Sequence, residues 1–242
     1  FRIKYFRQKK NIGMLANGNF SLNKAEGKYI AFCEGDDYWI DSLKLKKQVN
    51  FMEENPGFSC CAHNTIIKHE NAINSNLQQF NTINNKNDTL FKKDFMNISK
   101  FHTSSILLRK TFIENIINKD LLLVRDNPLK INLLQFGPIK ILPDLMSIYY
   151  RNVKGFSENI SIEKIYKTEI DTATALMQNL QGFYFKGLFI KSHWHRYYLI
   201  NGNNLSLLKK LKLFFKFLIP SFYRFPRNIR DILSSIYNGF LK

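Results

Sequence analysis

Acid is in short supply in this sequence: 19 Asp and Glu stand against 36 Lys and Arg among 242 residues, a formal net charge of +17. A balance of that size points to a polyanionic partner: a phosphorylated substrate, an anionic lipid or a nucleic acid. The alternative is a merely solvated surface. Cysteine is scarcer still. Cys33, Cys60 and Cys61 make no disulfide framework and form no C-x-x-C pattern, which argues against zinc and for a reducing compartment. Long apolar runs are missing too; none approaches the ~18 uncharged residues that a bilayer span requires. There is no internal repeat at a fixed period. The aromatics match no recognised RNA-binding pattern, so nucleic acid is not the expected partner. An initiating Met is also lacking. The chain opens on Phe1, inside the strand-like "RIKYF" (2–6), and reads as trimmed at its start, with no signal peptide in view.

What is present is enough apolar residue, 45%, to build a core. "NIGMLANGNFSLNKAEG" (11–27) predicts a loop followed by a short helix ending at Gly27. "KYIAFC" (28–33) is a continuous apolar run, the pattern of a strand covered on both faces. A helix follows, with Leu45, Val49 and Met52 on one face and Asn55-Pro56-Gly57 as its stop. "FSCCAHNTIIK" (58–68) predicts a strand, residues 70–89 an Asn-rich mobile loop, and "TSSILL" (103–108) a strand with a helix after it. "NPLKINLLQFG" (127–137) predicts a helix with Pro128 in its first turn. "PIKIL" and "LMSIYYR" predict two more strands. Strands alternating with helices argue for an α/β domain with a largely parallel sheet. From Ser161 onward a helical beat takes over.

The scarce acid is concentrated where "KYIAFC" stops, in "EGDDYW" (34–39). In open α/β sheets, ligands bind beyond the carboxyl ends of strands. Asp36 and Asp37 at such an end suit a hard divalent cation, Mg²⁺ or Mn²⁺, whose remaining ligands come from water and substrate phosphates. Gly35 allows a sharp turn, and Trp39 is placed to wall the cleft. The competing reading is that the acids only precede the next helix, although Asp41 and Ser42 already offer caps.

The run "GKYIAFCEGDDYWIDSLKLKKQVNFMEENPGFSCCAHN" resembles family 2 glycosyltransferases, which have the GT-A fold, and in particular a bacterial branch with an EGDDYW acidic motif. "NIGMLANGN", which contains Asn17, resembles the Asn-x-Gly segment that precedes that motif. The resemblance covers about residues 2–155. It implies an inverting transfer of a sugar from a nucleotide-diphosphate donor to a glycan or lipid-linked acceptor hydroxyl, assisted by Mg²⁺ or Mn²⁺. Asp37 matches the metal ligand, Asp36 a contact to the donor ribose or the metal shell, and Glu34 the first acid of a D-x-D. Asn17, Trp39 and Arg151 complete the expected donor site. Asp126 matches the general base, although Asn127 stands where relatives often have Trp, and a helix cap is its other reading. Many relatives carry His where this chain has Val153. His63, His193 and His195 read as packing residues.

The expected organisation is a GT-A domain over 1–160 that lacks its first, base-binding strand, a helical extension over 161–203 and a basic amphipathic tail over 204–242. On that reading the natural protein is longer, and this chain alone is poorly active or unstable. From Lys186 onward there are eleven basic residues and one acid, Asp231. The stretch 204–220 predicts a helix with Leu207, Leu208, Leu211, Phe214, Phe215 and Leu218 on one face, Lys209, Lys212 and Lys216 on the other, and Pro220 as its stop. Such a helix either lies on an anionic membrane or packs on a core. The expected location is cytoplasmic, peripheral on the inner membrane face. The rival function is a non-catalytic relative acting as a membrane- or glycan-binding module.

Overall fold

A computed structural model describes residues 3–70, 78–80, 88–117, 126–153, 155, 160–180, 182–221 and 237–239. The chain divides into two units, Phe1–Arg151 and Asn152–Lys242. In the first, the elements run α1 (Met14–Lys24), β1 (Tyr29–Ala31), β2 (Tyr38–Trp39), α2 (Lys44–Glu54), β3 (Cys60–His69), β4 (Gln78–Gln79) and β5 (Thr89–Leu90). Two 3₁₀ segments follow (Lys92–Lys100 and Thr103–Ser105), then β6 (Leu107–Arg109), α3 (Lys110–Ile117), α4 (Asp126–Phe136) and β7 (Ile139–Arg151).

The main sheet order is β1-β6-β3-β7-β2, with β4 added to β3 and β5 to β7. β1, β3 and β7 share one direction, because β6 lies antiparallel between β1 and β3, and β3 pairs with β7 in parallel. β2 is antiparallel to β7. β1 and β2 stand at opposite ends of that order, yet only residues 32–37 join them, and these include a turn in which the Asp37 N–H donates to the Glu34 carbonyl at 3.1 Å. Four strand spacings of about 4.8 Å leave no slack for so short a link unless the sheet curls. The curl brings the acidic turn across the strand ends.

The two strands expected on either side of Pro143 are one. β7 runs from Ile139 to Arg151, and its register against β3 shifts around His63, Asn64 and Thr65. Proline donates no ladder hydrogen bond, and the pairing absorbs it as an irregularity rather than a break. "TSSILL" is likewise a 3₁₀ turn before a strand. Residues 3–8, expected to begin with a strand, join no ladder among the described residues; Phe6 instead sets its edge against Phe20 of α1. The Asn-rich stretch lies mostly outside the described residues, and its Gln78 and Gln79 pair with β3.

One core cluster gathers Met52, Cys61 and Leu107, with Tyr29, Ala31, Val49 and Leu142 against it. Burying Met52 contributes about 1.5–3 kcal/mol. The expected face of α2 is met in part, by Val49 and Met52, which pack in this core. Leu45 is 42% exposed, while Lys44 and Gln48 are buried in line with Met52. Gly137, just past α4, lies so close to Gly57 that a Cβ there would stand 2.3 Å from the Gly57 carbonyl oxygen, so the site admits no side chain.

The second unit is helical: α5 (Ile162–Asn179), α6 (Tyr184–Asn201) and α7 (Leu207–Ser221). Ser161 caps α5 by accepting from the Lys164 N–H at 3.3 Å. Its core joins Tyr198 and Leu199 of α6 to Leu213 of α7. α7 ends at Ser221, one residue past Pro220, the expected stop. The buried face of α7 is Leu213 and Phe217, whereas Leu207, Leu208, Leu211 and Phe215, expected on a single apolar face, are 67%, 63%, 39% and 57% exposed. The helix expected over the final residues is described only at 237–239. No helix among the described residues is long and apolar enough to cross a membrane.

Candidate active site

The apolar strand β1 delivers the chain to Glu34 and Asp37, and β2 carries it away along β7. Asp37 is pinned: its Oδ1 accepts from the Tyr150 N–H at 3.1 Å, and its side chain is wholly buried. Its Oδ2 is buried with no hydrogen-bond partner and lies 3.4 Å from Nδ1 of His102. His102 Nε2 stands 4.0 Å from Oε2 of Glu34. One ligand atom each from Glu34, Asp37 and His102 lies within 4.8 Å of the others. Asp36 is exposed and lies outside this set of three, in which Glu34 is exposed as well.

The electrostatics report crowding of like charge. Glu34 is pushed up to about 7 by burial and by the negative charges of Asp126, Asp37 and Asp36. Asp37 is pushed up to about 6, first by burial, with Asp36 and Asp126 adding to it and the Tyr150 amide opposing it. Asp126, the first residue of α4, therefore acts on the same site as the acidic turn. Burial and the Lys130 charge hold His102 down to about 4. The imidazole is thus neutral at physiological pH, and its Nδ1 accepts from the Ser104 N–H at 3.3 Å.

His102 is the residue that the sequence reading missed, and its surroundings are built to hold it. Nδ1 lies 2.9 Å from the Ser104 hydroxyl, which lies 3.1 Å from Ser147 of β7, which lies 3.0 Å from Thr65 of β3. This chain of buried hydroxyls anchors the ring to the two central strands. Tyr149 stacks on the imidazole at 4.1 Å and Phe80 meets it edge-on. The one signal in the sequence is "HTSS", four polar residues entering an apolar strand; all four are buried.

Two struts fix this turn. Trp39 donates its indole N–H to the Ser104 carbonyl at 3.1 Å, and the Lys44 ammonium covers its ring at 4.2 Å. One face of the ring and its donor are thus engaged inside the unit. Lys44 bonds Gln48 at 2.8 Å, and Gln48 donates to the carbonyls of Cys61 at 2.6 Å and Ser105 at 2.8 Å. Burial pushes Lys44 down to about 8. Opposite, Lys130 of α4 donates to the Phe101 carbonyl at 2.7 Å, which ties the helix that begins at Asp126 to the residue before His102.

The other expected residues are more peripheral. Asn17 is exposed on α1, with no hydrogen bond to the acidic turn among the described residues. Arg151 ends β7 with its guanidinium 5.6 Å from the Tyr149 ring, and its charge is felt at His102. Val153 is 55% exposed. His63 is fully buried, with Nδ1 2.7 Å from the Asn64 carbonyl, and His195 bonds the Tyr166 hydroxyl at 2.8 Å; both are packing residues.

A curled α/β sheet that presents an acidic turn at its strand ends is the architecture of GT-A nucleotide-sugar transferases. The comparison with known sequences narrows this class. The family described as Glycosyl transferase family 2 matches residues 1–117, and the chain belongs to that family. It is 31% identical over 193 residues to the UDP-Glc:alpha-D-GlcNAc-diphosphoundecaprenol beta-1,3-glucosyltransferase WfaP of Escherichia coli, covering 76% of this chain and 66% of that protein. It is also 31% identical over 149 residues to an uncharacterized protein of Mycobacterium bovis, covering 60% of this chain and 41% of that one. An uncharacterized glycosyltransferase of Haemophilus influenzae is 46% identical over 54 residues, 22% of this chain and 21% of its own. The chain thus spans about two fifths of the mycobacterial relative's length.

Proposed function

We propose that this chain transfers a sugar from a nucleoside-diphosphate donor to a saccharide hydroxyl with inversion, and that a divalent cation sits among Glu34, Asp37 and His102. The observation that carries the reading is the buried, unpartnered Oδ2 of Asp37 facing a neutral imidazole and a second carboxyl. Three acids pressing on a half-buried fourth is unfavourable without a cation. Two carboxylates with one imidazole suit Mn²⁺ better than Mg²⁺, which prefers an all-oxygen shell. When bound, the ion neutralises the donor diphosphate as it leaves.

The protein's own part is positioning and proton transfer. Asp126 takes the proton from the acceptor hydroxyl as that oxygen bonds to the anomeric carbon. The bond from that carbon to the diphosphate oxygen breaks, and its electron pair leaves with the diphosphate. One displacement with one base inverts the centre. Arg151, Asp36 and Asn17 line the donor side in this reading. The likeness to WfaP supports a uridine diphosphate sugar as donor and a lipid-linked diphosphate saccharide as acceptor, and in this reading the chain works at the cytoplasmic face of the inner membrane.

Calorimetry with Mn²⁺ and a panel of nucleoside diphosphates tests the site. The wild type binds a diphosphate only with Mn²⁺ present, and Asp37→Ala abolishes this. Metal-independent diphosphate binding, or undiminished binding by Asp37→Ala, refutes the reading.

A further inference from the structure

Helix α7 wears its apolar residues on the wrong side for a core helix. Leu213 and Phe217 bury themselves against α6, while Leu207, Leu211 and Phe215 form an exposed row at i, i+4 and i+8. The adjoining row is Leu208, Lys212 and Lys216, with Leu208 63% exposed and both lysines exposed. An apolar row bordered by lysines is the arrangement that lets acyl chains take the hydrocarbon and phosphates take the ammonium groups.

Charge says which apolar phase covers this row. No acid occurs from Lys186 through Arg230. Lys191, Lys212 and Lys216 have no ion-pair partner among the described residues. Lys216 and Lys191 also line a cleft of about 280 Å³ with Ile170, Leu188, Tyr166 and His195. Two lysines at a cleft that also holds Ile170 and Leu188 suit a lipid phosphate with the start of its chain. A second protein copy would bring the same positive charge to the contact and be repelled.

We infer that α7 docks this chain on an anionic bilayer, with Leu207, Leu208, Leu211 and Phe215 in the interfacial layer and Lys191, Lys212 and Lys216 on lipid phosphates. This rests on the proposed membrane-side reaction only for its setting.

The test is co-sedimentation of the full chain with vesicles of equal parts phosphatidylglycerol and phosphatidylcholine, against phosphatidylcholine alone. Binding is expected to the anionic vesicles and to weaken with added salt. The double variant Leu211→Ser/Phe215→Ser loses about tenfold or more in affinity, as removal of two inserted side chains requires. Lys212→Glu/Lys216→Glu loses comparably on anionic vesicles only. These positions are exposed, and far-UV circular dichroism checks that both variants remain folded. Absence of vesicle binding, equal binding by the variants, or a dimer in sedimentation that Phe215→Ser dissolves overturns the inference. Mn²⁺ binding measured on the same samples reports the acidic site separately, so failure of one reading is not mistaken for failure of the other.

Discussion

The acidic site and helix α7 depart from ordinary burial in opposite directions. The N-terminal unit buries polar groups: His102, Ser104, Ser147, Thr65, Lys44 and Gln48 are all inside. The C-terminal unit exposes apolar ones: Leu207, Leu208 and Phe215 are more than half exposed. A buried polar group costs free energy unless it is bonded, and an exposed apolar row costs it unless something covers it. In the first case the hydroxyl bonds lie within the unit and lead to one imidazole, while Lys44 bonds Gln48, which donates to the backbone carbonyls of Cys61 and Ser105. In the second, no described residue covers the row.

The comparison breaks most sharply at Asp37. Asp37→Ala is expected to lower kcat by about 10²–10³, the loss typical of removing one electrostatic element from an active site, and turnover of a nucleotide sugar measures it. His102→Ala keeps the carboxylates and is expected to weaken Mn²⁺ about 10–100-fold in calorimetry, whereas a purely structural His102 would leave metal affinity unchanged.

Stability comes next. Gln48→Leu leaves the buried carbonyls of Cys61 and Ser105 without their donor and is expected to cost about 2–4 kcal/mol in urea unfolding. On α7 the two faces should separate: Leu213→Ala costs about 2–5 kcal/mol, while Leu211→Ser changes stability by about 0.5 kcal/mol or less. Equal costs would erase the distinction drawn between those faces.

The smallest effect is with pH. Glu34 and Asp37 are raised to about 7 and about 6 from ordinary values of 4.5 and 3.8, so the native chain holds their protons more tightly than the unfolded chain. Without metal, their contribution to stability falls as pH rises from about 4 through about 7. Mn²⁺ competes with those same protons. The gain in Tm on adding Mn²⁺ is therefore expected to be larger at about pH 8 than at about pH 5.5, read by thermal scans at both. A pH-independent gain would place the ion elsewhere.

The acidic turn was legible in the sequence because "KYIAFCEGDDYW" joins an apolar strand to carboxylates over a few adjacent residues, and local patterning carries that information. α2 was legible as a helix, and its buried face only in part. Periodicity places Leu45, Val49 and Met52 together, yet the neighbouring line of Lys44, Gln48 and Met52 faces the core. Only Trp39 and the carbonyls of Cys61 and Ser105, brought from three other segments, make a buried Lys and Gln affordable. The same reason hid His102, whose partners Asp37, Ser147 and Thr65 lie from 37 to 65 residues away.

By itself, then, the sequence determined the family, the α/β class, the placement of carboxylates at a strand end and the basic charge of the last helices, because each is written in contiguous residues. Tertiary structure alone decided that the imidazole of His102 lies beside Glu34 and Asp37, and which side of α7 faces outward. Those outcomes depend on desolvation and on donors supplied across the sheet, and neither quantity exists until distant segments meet.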